Sequence, residues 1–387
     1  MSGHLIAFDA KRAAQNRTGL GNYSRFVVHL LSKYAHDNDY LLFVPNPSRA
    51  SALAELPQEV VYEVATPESF FGRKLPALWR TCSISRELRR RKVALYHGLS
   101  NELPLGIHKT GCRSVVTIHD VIFLHQPDYY KPIDRWIYRL KFRYAGLHAD
   151  RVITVSEFSK REIVRLLGIP AEKIDVVYQG IYLDFDGVAT ADVERVRAAY
   201  GLPSRYILYV GTIEERKNMM LVARAMKRLA DQGRLPDDMK LVLVGRKTPY
   251  AEVLRNYLAA AGLAERVSMV HDVTFADLPS VYRGAEYLVY PSRIEGFGIP
   301  MLEAAAAGIP AIGCTGSSLE EAGGSGAFYV GPDDDEAMAD CMLRLWTDEA
   351  LKKERSAMGR AHAERFSDRC LFDSLKEVYE KVLGCKL

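Results

Sequence analysis

Tyr290-Pro291-Ser292-Arg293-Ile294-Glu295-Gly296-Phe297-Gly298-Ile299-Pro300-Met301-Leu302-Glu303-Ala304 is the stretch that decides the fold. An apolar run ends at Tyr290, glycines at 296 and 298 make a turn, and Pro300 followed by Met-Leu-Glu-Ala opens a helix. Proline is tolerated there because the first helical turn leaves its missing N–H without a bond to lose. Strand, glycine turn and helix in succession are the building unit of a parallel α/β sheet. The turn amides near Phe297, Gly298 and Ile299, with the helix dipole behind them, suit an anion. Glu295 before the turn and Glu303 one turn into the helix would bracket a hydroxyl-rich ligand whose phosphates rest on that turn. Taken singly, Glu303 reads more readily as a dipole-favoured helix residue and Glu295 as a surface turn residue; their combination is what points to a ligand.

The same alternation runs outward in both directions. Residues 4–8, 40–44, 60–64, 94–97, 114–118 and 151–155 read as buried strands, with helices over 21–34 and 158–168. The pattern restarts with strands at 206–210, 240–244, 267–270, 287–290 and 311–313, and with helices over 218–232 and 250–261. Continuously apolar strands alternating with helices mean parallel sheets covered on both faces. Residues 179–190 have no periodicity and suit a linker, so the 387 residues divide into two domains of similar size. The expectation is an α/β protein of two Rossmann-like, doubly wound domains facing across a cleft, where the carboxyl ends of the strands gather the ligand-binding loops. The domains expected are 1–185 and 186–365. A final amphipathic helix over 366–387 carries Leu371, Phe372, Leu375, Val378, Tyr379 and Leu383 at helical spacing.

Several motifs in both halves, in order, resemble one family. Glu295-x7-Glu303 within E-G-F-G-I-P-M-L-E-A is similar to the signature of retaining glycosyltransferase family 4, whose fold is GT-B. Gly211-Thr212-Ile213-Glu214-Glu215-Arg216-Lys217-Asn218 resembles that family's G-x-x-x-x-R-K-N segment. Asn16-Arg17-Thr18-Gly19-Leu20-Gly21-Asn22-Tyr23 looks like its glycine loop, and Thr117-Ile118-His119-Asp120 and Val152-Ile153-Thr154-Val155-Ser156-Glu157-Phe158-Ser159 also fit. The likeness covers essentially the whole chain.

The resemblance implies a donor site made mainly by the second half and an acceptor site made mainly by the first, with the last helix crossing back to the first domain. Arg216 and Lys217 would neutralise the leaving nucleoside diphosphate, as two adjacent cations after a strand are suited to do. Read alone, they fit an exposed basic loop equally well. Glu303 would accept hydrogen bonds from the donor ribose, and Glu295 would sit near the transferred sugar. Gly296, Phe297, Gly298 and Ile299 form the phosphate turn, and Gly19, Leu20 and Gly21 would meet the diphosphate from the other domain. His119 falls where the family places a residue against the donor sugar, with Asp120 acting through it. Gly211 belongs to the R-K-N turn, while Gly245 and the Asp272-Val273 segment border the nucleotide base. No residue stands out as a catalytic base, which accords with a front-face mechanism in which the leaving phosphate helps deprotonate the acceptor. The arrangement HGLSNELPL followed by VVTIHDVIFLHQPDYY looks most like bacterial O-antigen mannosyltransferases that use GDP-mannose. Other donors, UDP-glucose and GDP-rhamnose among them, stay open, as does a sugar-nucleotide epimerase or hydrolase on the same fold.

Two other motifs lead elsewhere. Gly19-Leu20-Gly21-Asn22-Tyr23-Ser24 nearly spells a dinucleotide fingerprint, but its third glycine is Ser24 and no acidic residue follows the second strand. Asp333-Asp334-Asp335 contains D-x-D, yet it follows Gly331-Pro332 and precedes a helical run, so a helix cap with an acidic first turn explains it. No metal and no cofactor beyond the nucleotide-sugar substrate is expected.

Composition narrows the class. With 48% hydrophobic and 26% charged residues, the chain is neither disordered nor low in complexity. No apolar run reaches the roughly 18 residues of a spanning helix, and Met1-Ser2-Gly3-His4 has no basic leader, so a cytoplasmic protein is expected. Six scattered cysteines read as reduced thiols. The net charge of +4 conceals an asymmetry: residues 1–186 hold 26 basic against 19 acidic residues, a balance of +7. Residues 70–92 and 131–148 set Trp79 and Trp136 among arginines and lysines. Basic amphipathic stretches of this kind suit an anionic membrane surface, or a helix packed on its own domain with a solvated basic face. No nucleic-acid motif accompanies the charge. The expected partners are a nucleotide-sugar donor, a glycan or lipid-linked acceptor, and a peripheral contact of the basic half with the cytoplasmic membrane.

Overall fold

The computed structural model describes residues 3–387. Met1 and Ser2, where the reading of the leader begins, and the side chains of Phe71 and Asp128 lie outside the described residues. The chain forms two compact units, residues 1–182 with 368–387, and residues 183–367. The division between Tyr182 and Leu183 falls inside the aperiodic segment 179–190.

In the first unit, seven strands all pair in parallel: β1 (Leu5–Asp9), β2 (Asp39–Phe43), β3 (Glu63–Ala65), β4 (Leu95–Gly98), β5 (Arg113–Thr117), β6 (Arg151–Thr154) and β7 (Ile174–Val176). Their order is β3-β2-β1-β4-β5-β6-β7. The second unit repeats the design with β8 (Ile207–Val210), β9 (Leu241–Val244), β10 (Val267–Val270), β11 (Tyr287–Tyr290), β12 (Ala311–Cys314) and β13 (Phe328–Val330), ordered β10-β9-β8-β11-β12-β13. The central strands are apolar because helices cover both faces: every residue of LVLV in β9 and YLVY in β11 is buried. Each order reverses once, at β1/β4 and at β8/β11, and the loops leaving those adjacent strands diverge to open a crevice at their carboxyl ends.

Three strands depart from the sequence expectation, all at sheet edges. β3 lies at 63–65 rather than 60–64, with the apolar Val61 exposed outside it. β7 and β13 were not expected, because Ile-Asp-Val and Phe-Tyr-Val are too short to display a period. The C-terminal helix Asp368–Leu383 belongs to the first unit. It buries Leu371, Phe372, Leu375, Val378 and Tyr379, with Val382 rather than Leu383 completing the stripe. Tyr379 also pins it by a polar chain through the core. Its hydroxyl meets Nδ1 of His97 at 2.7 Å, His97 Nε2 meets Thr117 Oγ1 at 2.8 Å, and Tyr23 OH meets the same oxygen at 2.9 Å. Burial lowers the His97 pKa to about 3, so the imidazole is neutral and the chain of hydrogen bonds carries no charge.

Candidate active site

The sheet order of the second unit explains why residues 78 positions apart in sequence meet. β8 lies beside β11, so the turn after one faces the turn after the other. Close packing of the glycines sets the first of these turns. A Cβ on Gly245, after β9, would lie 1.8 Å from the carbonyl oxygen of Gly211, after β8. Gly211 itself has φ of 150°, and Val244 O accepts its N–H at 2.9 Å. The chain then makes a short turn, Glu215–Lys217, and enters the helix Met219–Asp231 through Asn218, whose φ of 59° is left-handed. Asn218 holds that conformation by donating its side-chain amide to Pro332 O at 2.8 Å.

This turn carries Arg216 and Lys217 onto Glu295. Lys217 Nζ donates to Glu295 Oε1 at 2.5 Å and to Tyr290 OH at 2.6 Å, and Tyr290 OH in turn donates to Glu295 Oε1 at 3.2 Å. Arg216 donates through Nη1 to Ile294 O at 2.8 Å and lies 3.2 Å from Glu295 Oε1, while Nη2 pairs with Glu214 at 2.8 Å. The backbones are tied as well, Arg293 N–H donating to Arg216 O at 3.0 Å. Burial by itself would raise the Glu295 pKa, but Lys217 and then Arg216 outweigh it and hold the carboxyl at about 2. Burial pushes the Lys217 ammonium below its ordinary value, against the pull of Glu295. With Glu295 held so far down, the pair is ionic at neutral pH. Two cations therefore stand preorganised at a strand's carboxyl end, aligned by a carboxylate that serves both.

The turn that follows is fixed by its own packing. Gly298 has φ of 108°, and a Cβ there would lie 2.6 Å from Leu319. Ser318 Oγ donates to the carbonyls of Glu295 and Phe297, both at 2.9 Å, and the buried Phe297 ring packs 5.6 Å from Phe366. The helix Ile299–Ala307 begins at once, with Pro300 in its first turn. Glu303 projects from it and is buried, its Oε2 accepting from Tyr282 OH at 2.6 Å. Burial raises its pKa to about 7, with the Tyr282 hydrogen bond pulling the other way. Gly296 and Ile299, half-buried, complete the turn. Farther along the sheet, half-buried Val273 follows β10, next to His271, whose Nδ1 bonds Gly245 O at 2.7 Å.

The remaining expected residues gather in the first unit. Gly19, Leu20 and Gly21 begin the helix Gly19–Tyr34, as expected for a loop leaving β1. A Cβ on Gly21 would lie 1.7 Å from Asn16 O, whereas Gly19 faces open space. His119, just after β5, is buried and fully engaged. Its Nε2–H donates to Leu99 O at 3.0 Å, a tautomer assigned from that acceptor, and its Nδ1 accepts from Gln179 at 3.2 Å. The Tyr23 ring lies edge-on at 4.5 Å, joining His119 to the glycine-loop helix. Burial lowers the His119 pKa to about 4, so it is a neutral hydrogen-bonding group. Asp120 Oδ1 accepts from Ile122 N–H at 3.1 Å and so shapes the turn after His119.

Four residues that the sequence did not single out support these groups: Tyr290 and Tyr282 under the two glutamates, and Leu99 and Gln179 around His119. The tyrosines carried no signal because each reads as an apolar position of its strand or helix. The acidic triplet, in contrast, is accounted for locally. Asp334 caps the helix Asp335–Thr347 by accepting from Ala337 N–H, Asp333 pairs with Arg293 at 2.5 Å, and Asp335 pairs with Arg228 at 2.8 Å.

Comparison with known proteins bears on what this arrangement serves. Residues 23–185 match the family described as Glycosyltransferase Family 4, and residues 204–348 match Glycosyl transferases group 1. The chain is 31% identical over 364 residues to O-antigen chain mannosyltransferase B of Escherichia coli, covering 90% of this chain and 92% of that one. It is 27% identical to O-antigen chain mannosyltransferase RfbU of Salmonella typhimurium, covering 84% and 86% of the two. Among solved structures, Anabaena HepE in complex with UDP and glucose superposes with a TM-score of 0.75 at 16% identity, over 98% of this chain and 100% of the other. WaaG, a glycosyltransferase involved in lipopolysaccharide biosynthesis, superposes with a TM-score of 0.68 at 15% identity, over 98% and 100%. The fold is GT-B, and with an O-antigen mannosyltransferase matched along nearly its full length, the chain is a glycosyltransferase and belongs to glycosyltransferase family 4.

Proposed function

We propose that the protein transfers mannose from GDP-mannose to a hydroxyl of a lipid-linked glycan in the assembly of O-antigen or a similar surface polysaccharide, at the cytoplasmic face of the membrane. The observation that carries the transfer chemistry is the Arg216–Lys217 pair held on Glu295 at the carboxyl end of β8. In the reaction, the bond between the sugar's anomeric carbon and the diphosphate oxygen breaks, and the acceptor oxygen bonds to that carbon. The leaving diphosphate keeps the electron pair, and its growing charge is what Arg216 and Lys217 offset. The acceptor proton passes to the leaving phosphate oxygen on the same face, which retains the anomeric configuration. Because the two cations meet the diphosphate, no metal ion is assigned to this step.

The turn at Gly296 to Ile299 receives the distal phosphate, and Glu303 accepts from the ribose hydroxyls. Glu295 positions the cations and lies toward the sugar, while Gly211, Gly245 and Val273 border the base. In the first unit, the family resemblance assigns His119 to the sugar and the Gly19-Leu20-Gly21 loop to the diphosphate. Mannose is favoured by the two relatives named as O-antigen mannosyltransferases, and GDP is the nucleotide that the sequence resemblance implies. The test is a mass-spectrometric donor screen of the purified protein with polyprenyl-linked glycan acceptors, and proton NMR of the product's anomeric signal. One hexose added from GDP-mannose with retained configuration is expected. Turnover of UDP-glucose but not GDP-mannose would overturn the donor, and an inverted product would overturn the mechanism.

A further inference from the structure

The helix Pro132–His148 has two apolar faces, and the first unit covers only one of them. Phe142, Ala145 and Gly146 are buried, Phe142 packing against Phe123 with ring centroids 5.0 Å apart. On the opposite side Ile133, Trp136 and Leu140 are 66%, 63% and 50% exposed, and Ile137 and Leu147 continue the stripe. A helix packed on a soluble domain normally turns a polar face outward. A contiguous exposed apolar face marks an interaction site.

The second basic stretch of the sequence lies against the first. Glu102 joins them, accepting from Arg80 at 2.8 Å and from Lys141 at 3.5 Å. Leu105 N–H donates to Thr81 O at 2.7 Å, and Gly106 N–H donates to Tyr144 OH at 2.8 Å. Leu75, Leu78 and Leu105, exposed as well, belong to these joined segments. Arg139 and Arg143 flank that face and form no ion pair among the described residues. The unit as a whole holds 30 lysines and arginines against 21 aspartates and glutamates, a balance of +9, whereas the second unit holds 22 against 27.

We propose that this surface docks on an anionic lipid bilayer, the apolar stripe entering the headgroup boundary and the flanking arginines meeting lipid phosphates. The inference deepens the proposed transfer to a lipid-linked acceptor and rests on it for its purpose. Charge decides the occupant. A second copy seated on the same face would set Arg139 and Arg143 against their own counterparts, whereas anionic headgroups offset them. Trp136, apolar in body with one N–H, is the side chain suited to the depth of the headgroups.

Trp136 also makes the docking measurable, since the other two tryptophans, Trp79 and Trp346, are buried. The experiment is sedimentation and tryptophan fluorescence of the full chain with phosphatidylcholine vesicles, with and without phosphatidylglycerol and without glycan or donor. Binding is expected to be at least ten-fold tighter to the anionic vesicles, with a blue shift of emission and a loss of binding as salt is raised. The pairs Ile133→Asn with Leu140→Asn, and Arg139→Glu with Arg143→Glu, change only exposed positions. Each should weaken vesicle binding ten-fold or more while leaving transfer to a water-soluble acceptor within two-fold of wild type. Equal binding to neutral and anionic vesicles, no binding, or variants that bind like wild type would overturn the docking surface. A dimer that the Ile133→Asn and Leu140→Asn pair dissolves, without vesicle binding, would also overturn it and give the face to a second copy. Because the vesicles contain neither substrate, these outcomes are independent of the donor screen.

Discussion

Lys217→Ala and Arg216→Ala are each expected to lower the turnover number about 100- to 1,000-fold with the fold retained, the usual scale for losing one preorganised charge at a developing anion. The geometry says why neither cation replaces the other. Lys217 Nζ is fixed by Glu295 and Tyr290 at 2.5 and 2.6 Å, while the Arg216 guanidinium, 3.2 Å from the same Glu295 oxygen, is also held by Ile294 O and Glu214, both at 2.8 Å. Each keeps partners the other lacks, Tyr290 for Lys217 and Glu214 with Ile294 O for Arg216. The proposed role is in the departure of the diphosphate, so the loss should fall mainly on turnover rather than on donor KM. Steady-state kinetics, with circular dichroism melts as the control for folding, separate the two. Wild-type turnover in both variants would make them ordinary residues of a basic turn. Glu295→Ala should behave differently, because it strands two cations in a buried site. A stability loss of about 3–5 kcal/mol is expected together with the loss of activity.

Glu303→Gln should raise stability at alkaline pH and abolish a pH dependence of donor binding. Burial lifts the Glu303 carboxyl from its ordinary 4.5 to about 7. A carboxyl raised on folding stabilises the protein while it is protonated. That contribution is complete below about pH 4.5 and is lost as the pH climbs through about 7. At full ionisation the penalty is on the order of 3 kcal/mol, which glutamine avoids while keeping an acceptor for Tyr282 OH. The variant's melting temperature should therefore exceed wild type at about pH 8 and match it near pH 4.5. Donor binding should respond in the opposite sense. Accepting from ribose hydroxyls favours the carboxylate, so the wild-type donor KM should fall as the pH rises through about 7. In Glu303→Gln the KM should be higher at pH 8 and flat with pH. A flat wild-type profile, with unchanged KM in the variant, would remove Glu303 from the nucleotide site.

Much of the fold was legible because its central strands are long enough to show themselves. YILYV, KLVLV and YLVY each announce a strand covered on both faces, and the glycine turn before Pro300 announces the helix. The edges were not legible. In β3 and β7, half-exposed backbone needs no apolar run, so the residues carry no pattern. Within the site, Arg216, Lys217, Glu295 and Glu303 were legible by type and order. Their connections were not, because spacing within one turn says nothing about a turn 78 residues away. Glu295 was expected beside the sugar, and its most evident work in the structure is to align two cations. His119 was expected against the sugar too, and in the structure Leu99 and Gln179 partner its two ring nitrogens. Those partners come from β4's following loop and from the segment after β7, a conjunction only the sheet order creates.

The claim that a nucleotide-sugar donor is held at the carboxyl ends of β8 and β11 is tested most directly by hydrogen–deuterium exchange of the full chain with and without saturating GDP-mannose. Slowed exchange in segments 211–218 and 295–303 of the second unit is the expected result, and it should vanish in the Arg216→Ala, Lys217→Ala double variant. Saturable donor binding that leaves both segments unprotected would contradict it.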